Sequence, residues 1–365
     1  MRTERARVSN VGGGVEAMSM RWRLRLRFGM MGLALAPFGA GCGHDAETAA
    51  PGTVVVYSSQ DQEFAEPVLE AYRKRTGVNV VPKFDVESAK TVGLMNLIVA
   101  EANRPRCDLF WNNEILNTLR LKEKGLLAPF QPPNAASYPA IFKAKDGTWY
   151  GFAARARILL VNTELVAKGD WPTGLRDLTD PKWKGKIGLA KPLFGTTATH
   201  AVCLFAVWGD AKAKAFFQGL KANDVQVLSG NKQVATAVGS GRIAFGLTDT
   251  DDAMGEIEAG SPVAIIYPDR ADDQLGTLFI PNTLAIIKGA PHPEAAEALA
   301  NDLLSPEVES ALARGLSAQI PLNSEVKDVP RIETPATVHA MEVDFETAVR
   351  LWDQVAAFLA EEFAG

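Results

Sequence analysis

The chain has 365 residues, is 47% hydrophobic and 22% charged, and carries a net charge of −5. Those values describe an ordinary globular protein of one or two domains. They exclude a strongly basic, nucleic-acid-binding composition: 38 basic residues face 43 acidic ones and are scattered rather than patched.

In "MRWRLRLRF", beginning at Met20, four arginines precede the apolar stretch "GMMGLALAPFGAG". This is the order of a secretory signal, and the stretch is too short to span a bilayer as a mature helix. It ends in "GAGC", so Cys42 follows three small residues in the pattern of a lipoprotein cleavage site, with plain signal-peptidase cleavage as the alternative. Residues 1–41 are expected to be a signal peptide, with Met18 or Met20 as the alternative start, and 42–52 a tether lipidated at Cys42. The mature protein is then periplasmic and lipid-anchored. Cys107 and Cys203 sit in apolar surroundings, "RCDLFW" and "AVCLFAVW", where buried free thiols are commoner than a lone bridge.

"TVVVYSS" is a β-branched run and reads as the first strand. The helix "EFAEPVLEAYRKRTG" places Phe64, Val68 and Tyr72 on one face and stops at Gly77. Strand "VNVVPKFDV", helix "AKTVGLMNLIVAEAN", strand "CDLFW" and helix "EILNTLRLKEKG" follow. Near-continuous apolar strands alternating with helices predict a parallel sheet covered on both faces. After the Pro-rich "APFQPPNAASYPA", the strand "RILLVN" opens a second unit. It holds "KIGLA", one long helix from about Thr199 to Phe217, the helix "KQVATAVGSG", and the strands "RIAFGLT" and "PVAIIYP". "GTLFIPNTLAIIKG" reads as a return to the first unit, and amphipathic helices close the chain. The expected fold is α/β with two lobes and crossovers at a hinge: residues 53–152 plus 277–325, residues 153–276, and a C-terminal helical segment over 326–365. In such sheets the ligand sits beyond the carboxyl ends of the strands, here between the lobes.

The residues past those strand ends are the candidate site. Ser59 and Asp61 follow the first strand and Asn113 the third. "FGTTATH" is a glycine, Gly195, followed by Thr196 and Thr197 at a helix start, a natural anion cradle or simply an N-cap. His200, one turn in, reads as packed. "LTDTDDA" places Asp249, Thr250, Asp251 and Asp252 behind a buried strand. Asp249 could cap the next helix, with Asp252 in a capping-box position, or the carboxylates could face the cleft and bind a hard cation or an amine. Arg155 and Arg157 share one face of an extended segment and could pair with an anion or with those aspartates. Nothing points to catalysis. No G-x-S-x-G, paired-histidine metal spacing or Walker loop occurs, and a hydrolase built on "TDTDD" would lack an evident general base.

The blocks "VVVYSSQDQE", "CDLFWNNE", "ARARILLVNTEL", "LTDPKWKGKIGLAKPLFGTT", "RIAFGLTD", "SPEVESALA" and "IPLNSEV", in this order from about Thr53 to Lys327, resemble the periplasmic ferric-iron-binding proteins of ABC importers. The resemblance implies a two-lobed, monomeric solute-binding protein, not an enzyme, that holds no cofactor and delivers its cargo to an inner-membrane permease. In that family iron is held by a histidine, a glutamate and two adjacent tyrosines. Lining up the motifs puts these on Asp61, Asn113, and Asp249 with Thr250, so none of the four is retained. The loop that takes the accompanying anion matches Gly195 to Ala198 and is kept. The implied ligand is Fe3+ with a synergistic anion, with Asp61 and Asp249 as metal ligands and Asp251, Thr196, Thr197 and Arg157 around them. The alternative within the same fold is a phosphorylated, phosphonate or amine-bearing organic solute.

Overall fold

The computed structural model describes residues 52–85 and 91–363. The proposed signal segment, the tether and Cys42 lie outside the described residues. The chain begins with the expected alternation: β1 (Thr53–Ser58), α1 (Gln62–Thr76), β2 (Asn79–Phe84), α2 (Val92–Ala100), β3 (Leu109–Asn112) and α3 (Leu116–Glu123). Helix α1 ends as its sequence predicts. Gly77 takes φ 75°, and its N–H donates to Arg73 O at 2.8 Å. The face it buries is Ala65, Leu69 and Tyr72, with Phe64 and Val68 half-buried at its margin.

A two-residue β4 (Leu127–Ala128) precedes the long β5 (Tyr150–Asn162). Then come β6 (Ile187–Ala190), α4 (Gly195–Trp208), α5 (Asp210–Ala222), β7 (Gln226–Leu228), α6 (Asn231–Gly239), β8 (Phe245–Asp249), α7 (Thr250–Glu258) and β9 (Val263–Ile266). The single helix expected over Thr199–Phe217 is therefore two. Gly209, at φ 77°, supplies a backbone turn that other residues avoid, and the chain changes direction there. Helix α4 is buried continuously from Gly195 to Phe205, whereas α5 is amphipathic, burying Ala213, Phe216, Phe217 and Leu220. After β10 (Phe279–Ile287), the closing stretch forms α8 (Pro293–Leu303) and α9 (Pro306–Arg314), separated at Ser305. Ser305 Oγ accepts the Val308 N–H at 3.3 Å, and Pro306 occupies the first helical position. Helices α10 (Phe345–Ala348) and α11 (Trp352–Phe363) end the description, with α10 packed against both α3 and α4.

The strands form a ten-stranded sheet in the order β2-β1-β3-β10-β5-β8-β6-β7, with β4 on β10 and β9 on β5. β1 pairs in parallel with β2 and β3, and β6 in parallel with β7 and β8, while β5 and β10 run antiparallel to their neighbours. The first half of β5 pairs with β10 and the second half with β8 and β9. β5 thus belongs to both halves of the sheet, and it is buried along its whole length. The register fixes where the halves meet. Asn112 at the end of β3 lies opposite Thr283, three residues past Ile280, the partner of Arg155. Asp249 at the end of β8 lies opposite Arg157. The carboxyl ends of β1, β3, β6 and β8 therefore converge on Arg155 and Arg157. Among the described residues no helix is long and apolar enough to cross a membrane.

Candidate functional site

Three helices start at this junction. Helix α4 begins at Gly195, whose φ of 62° suits glycine, and a Cβ built there would meet nothing within 4 Å. The first-turn N–H groups beside it carry the positive end of the helix dipole. Neither Thr196 nor Thr197 caps the helix; the N-cap position is Phe194. Their hydroxyls are turned to the site. Helix α6 contributes Asn231, its first residue, and α7 contributes Asp249 as N-cap, Thr250 and Asp251. Asp249 makes no side-chain cap bond.

Its carboxylate faces Arg157 instead. Arg157 Nη1 is 2.6 Å from Asp249 Oδ1, and both side chains are at most 4% exposed. Arg157 also donates to Thr196 Oγ1 and Asn231 Oδ1 at 3.1 Å and to Thr197 Oγ1 at 3.2 Å. Thr196 Oγ1 donates to Asp249 Oδ2 at 2.5 Å, and Asn231 Nδ2 to the same oxygen at 2.9 Å. Two residues along, Arg155 donates to Asn113 O at 2.8 Å, Gln60 Oε1 at 2.7 Å and Asn282 Oδ1 at 2.9 Å. Its Nε lies 3.1 Å from Asp251 Oδ2. Each guanidinium thus faces one carboxylate: Arg157 and Asp249 form a charge-assisted hydrogen bond, whereas Arg155 Nε and Asp251 form an ion pair without hydrogen-bond geometry. Thr250 Oγ1 accepts the Ala156 N–H at 3.1 Å and pins α7 to β5.

Asp249, Asp251 and Asp252 bring carboxylate oxygens within 4.8 Å of one another. Asp61 is the N-cap residue of α1, where its carbonyl accepts the Phe64 and Ala65 N–H groups at 3.0 Å. Ser59 Oγ, Gln60 Nε2, Asn113 Oδ1 and Arg157 Nε are buried with no hydrogen-bond partner among the described residues. Buried polar groups are normally paired, so the unpaired atoms here make the junction the candidate site, although Trp149 Nε1 and Trp183 Nε1 elsewhere are also unpaired among the described residues. His200 is buried on α4, and neither ring nitrogen has a hydrogen-bond partner among the described residues. Burial, with a further push from Arg157, holds its pKa well below the ordinary histidine value.

Of the residues singled out from sequence, Arg157, Thr196, Thr197, Asp249, Thr250, Asp251 and Gly195 meet on one side of the junction, and Ser59 and Asn113 on the other. Asn231, Asn282 and Thr199 were not legible, whereas Glu114 was among the residues past the third strand. Asn231 follows a short strand with no motif around it. Glu114 is fully buried and accepts from Asn112 Nδ2, the Leu116 and Asn117 amides and Thr199 Oγ1. That last bond, at 2.7 Å, spans 85 residues of chain.

Two sheet halves sharing a crossover strand, with polar strand ends converging on it, define a two-lobed binding protein of the periplasmic type. The profile of the bacterial extracellular solute-binding proteins matches residues 108–346. The chain belongs to that family. It is 26% identical over 319 residues to the major ferric iron-binding protein of Neisseria meningitidis serogroup A, covering 85% of this chain and 94% of the relative. Among solved structures, iron-bound HitA from Pseudomonas aeruginosa superposes with a TM-score of 0.77 at 22% identity, covering 86% of this chain and 99% of HitA. AfuA from Actinobacillus pleuropneumoniae, solved with fructose-6-phosphate, gives 0.77 at 24% identity over the same shares. These two likenesses establish the fold.

Proposed function

We propose that the chain is the substrate-binding component of an ABC importer and that it captures ferric iron together with an oxyanion at the Arg155–Arg157 junction. The lobes would be residues 53–152 plus 277–325 and residues 153–276, with 326–365 packed across both. The observation that carries this reading is the convergence of three aspartates on the helix starts that present Thr196, Thr197 and Asn231. Carboxylates are hard oxygen donors suited to a small, highly charged cation. The guanidiniums and the α4 N-terminus would hold the anion and balance its charge. The names of relatives such as the meningococcal protein support the iron assignment. Exported, anchored at Cys42 and monomeric, the protein would close around its cargo and present it to a permease.

Calorimetric titration of chelator-stripped protein with ferric citrate tests the proposal. Saturable binding that Asp251→Asn weakens supports it, and the absence of any heat or spectral change rejects it. A second reading has one specific observation behind it. Asp249 and Asp251 are each already paired with a buried arginine, so the junction is close to neutral without a cation. A phosphorylated organic solute would then sit with its phosphate on the α4 N-terminus and its hydroxyls on the aspartates. A thermal-shift screen with ferric citrate and hexose phosphates separates the readings, because a ligand at about 100 times its Kd adds roughly 2.7 kcal/mol of stability.

A further inference from the structure

β5 carries one extra residue where it crosses β10. Phe152 pairs with Asn282 and Arg155 with Ile280, so Ala153 and Ala154 together face Pro281. Pro281 has no N–H to give, and the ladder breaks there. Ala153 adopts φ 42°, a left-handed conformation that alanine keeps only where its surroundings fix it. Both of its backbone polar groups are held by side chains from distant parts of the chain. Its N–H donates to Glu309 Oε1 at 2.6 Å, and its carbonyl accepts from Asn282 Nδ2.

Glu309, 1% exposed on α9, takes the Leu322 N–H at 2.9 Å and the Asn323 N–H at 2.6 Å on its other oxygen. These bonds do not serve α9, which Ser305 caps. Asn282 in turn accepts from Arg155 at 2.9 Å. One continuous path therefore runs from Glu309 through the Ala153 backbone and Asn282 to the guanidinium that also holds Gln60, Asn113 and Asp251.

We propose that Glu309 is a positioning residue for the binding site: it holds Ala153 in its left-handed conformation and thereby sets the crossover geometry that aims Arg155. Only the last step, that Arg155 meets the ligand, rests on the proposed function. The crossover is where the two sheet halves join, so a loosened Ala153 lets them adopt a wider range of relative positions.

Spin labels on cysteines at Gln62 in α1 and Thr236 in α6, both exposed, report the separation of the two halves without any ligand. Cys107 and Cys203 are buried, and Cys42→Ala keeps labelling to these two sites. Glu309→Gln, which keeps the shape and replaces one acceptor with a donor, is expected to broaden the distance distribution and to weaken ferric citrate binding about tenfold, the loss equivalent to 1.4 kcal/mol. Adding Ala153→Gly to that variant is expected to narrow the distribution again, because glycine takes positive φ unaided. A carboxylate that merely fills the core would not be rescued this way. An unchanged distribution in Glu309→Gln, or equal broadening in the single and double variants, overturns the proposal. Should Glu309→Gln fail to fold, Glu309→Asp draws the carboxylate back from the Ala153 N–H by one methylene; broadening supports the proposal and a native distribution overturns it. If the unmutated protein binds no ferric citrate, the iron reading fails while the distances still decide the role of Glu309.

Discussion

Arg157 and Asp249 are register partners in the antiparallel β5–β8 pair, and their side chains close a 2.6 Å ion pair with at most 4% exposure on either. Removing one member strands the other without solvent. Asp249→Ala is therefore expected to lower the unfolding free energy by about 3–5 kcal/mol, read by denaturant titration. Replacing the pair together, Asp249→Leu with Arg157→Met, is expected to lose less than the single change. If the double variant is the less stable, the pair is stabilising by itself rather than mutually necessary.

Lys232 on α6 and Glu63 on α1 form a 2.6 Å ion pair across 169 residues, with each side chain about half exposed. The hydrogen bond to Glu63 raises the Lys232 pKa, so the ammonium is charged throughout the neutral range. An exposed pair contributes under about 1 kcal/mol to folding. Under the closure proposed above, its effect falls on ligand release. Lys232→Ala should leave the melting temperature almost unchanged and speed ligand release up to about fivefold in stopped-flow measurements. Raising salt to about 1 M should bring the two proteins together, because screening removes the attraction.

Glu114→Ala removes the acceptor shared by Asn112, the first amides of α3 and Thr199. A loss of about 3 kcal/mol is expected, since several buried donors lose a charged partner at once. Thr199→Val breaks only the bond between α4 and Glu114 and should lose about 1 kcal/mol. Equal losses in chemical denaturation would mean that the Glu114–Thr199 bond carries the whole effect.

His200 gives a pH test with a definite sign. Its folded pKa lies well below that of the unfolded chain, which is about 6.5. The unfolded state therefore binds a proton that the native state refuses as pH falls below about 6.5. Stability drops in that window, by up to about 1.4 kcal/mol per pH unit, and is full above it. His200→Met, similar in size and unable to titrate, should flatten the difference between melting temperatures at pH 5 and pH 7.5. An identical slope in both proteins would show that the ring is solvated in the native state.

Much of the fold was written in local pattern. The β-branched run at Thr53–Ser58, the stop at Gly77 and the apolar run in β8 each act over a few residues, and each formed as expected. One long helix is the local expectation because Gly209 can sit inside a helix at modest loss, but in the structure Gly209 takes φ 77° and α4 ends there. The site was half legible. Asp249 and Asp251 stood out as crowded like charges, while Asn231 and Asn282 did not, because nothing in their local sequence separates a buried amide from an exposed one.

The sequence by itself determined which residues are chemically able to bind: two arginines two apart on a strand, a Gly-Thr-Thr helix start and a run of aspartates behind a buried strand. It also determined the order of the longer strands and most helices, though not β4, β7 or the break between α4 and α5, because hydrophobic period and glycine stops operate over short range. The tertiary structure decided the partners. Whether Asp249 caps its helix or neutralises Arg157 depends on β5 and β8 lying in one register, a contact between positions 92 residues apart. Burial then makes that choice binding, since a carboxylate or guanidinium removed from water must be paired. The same long-range packing placed Glu309 beneath Ala153, and no local signal in either segment announces the other.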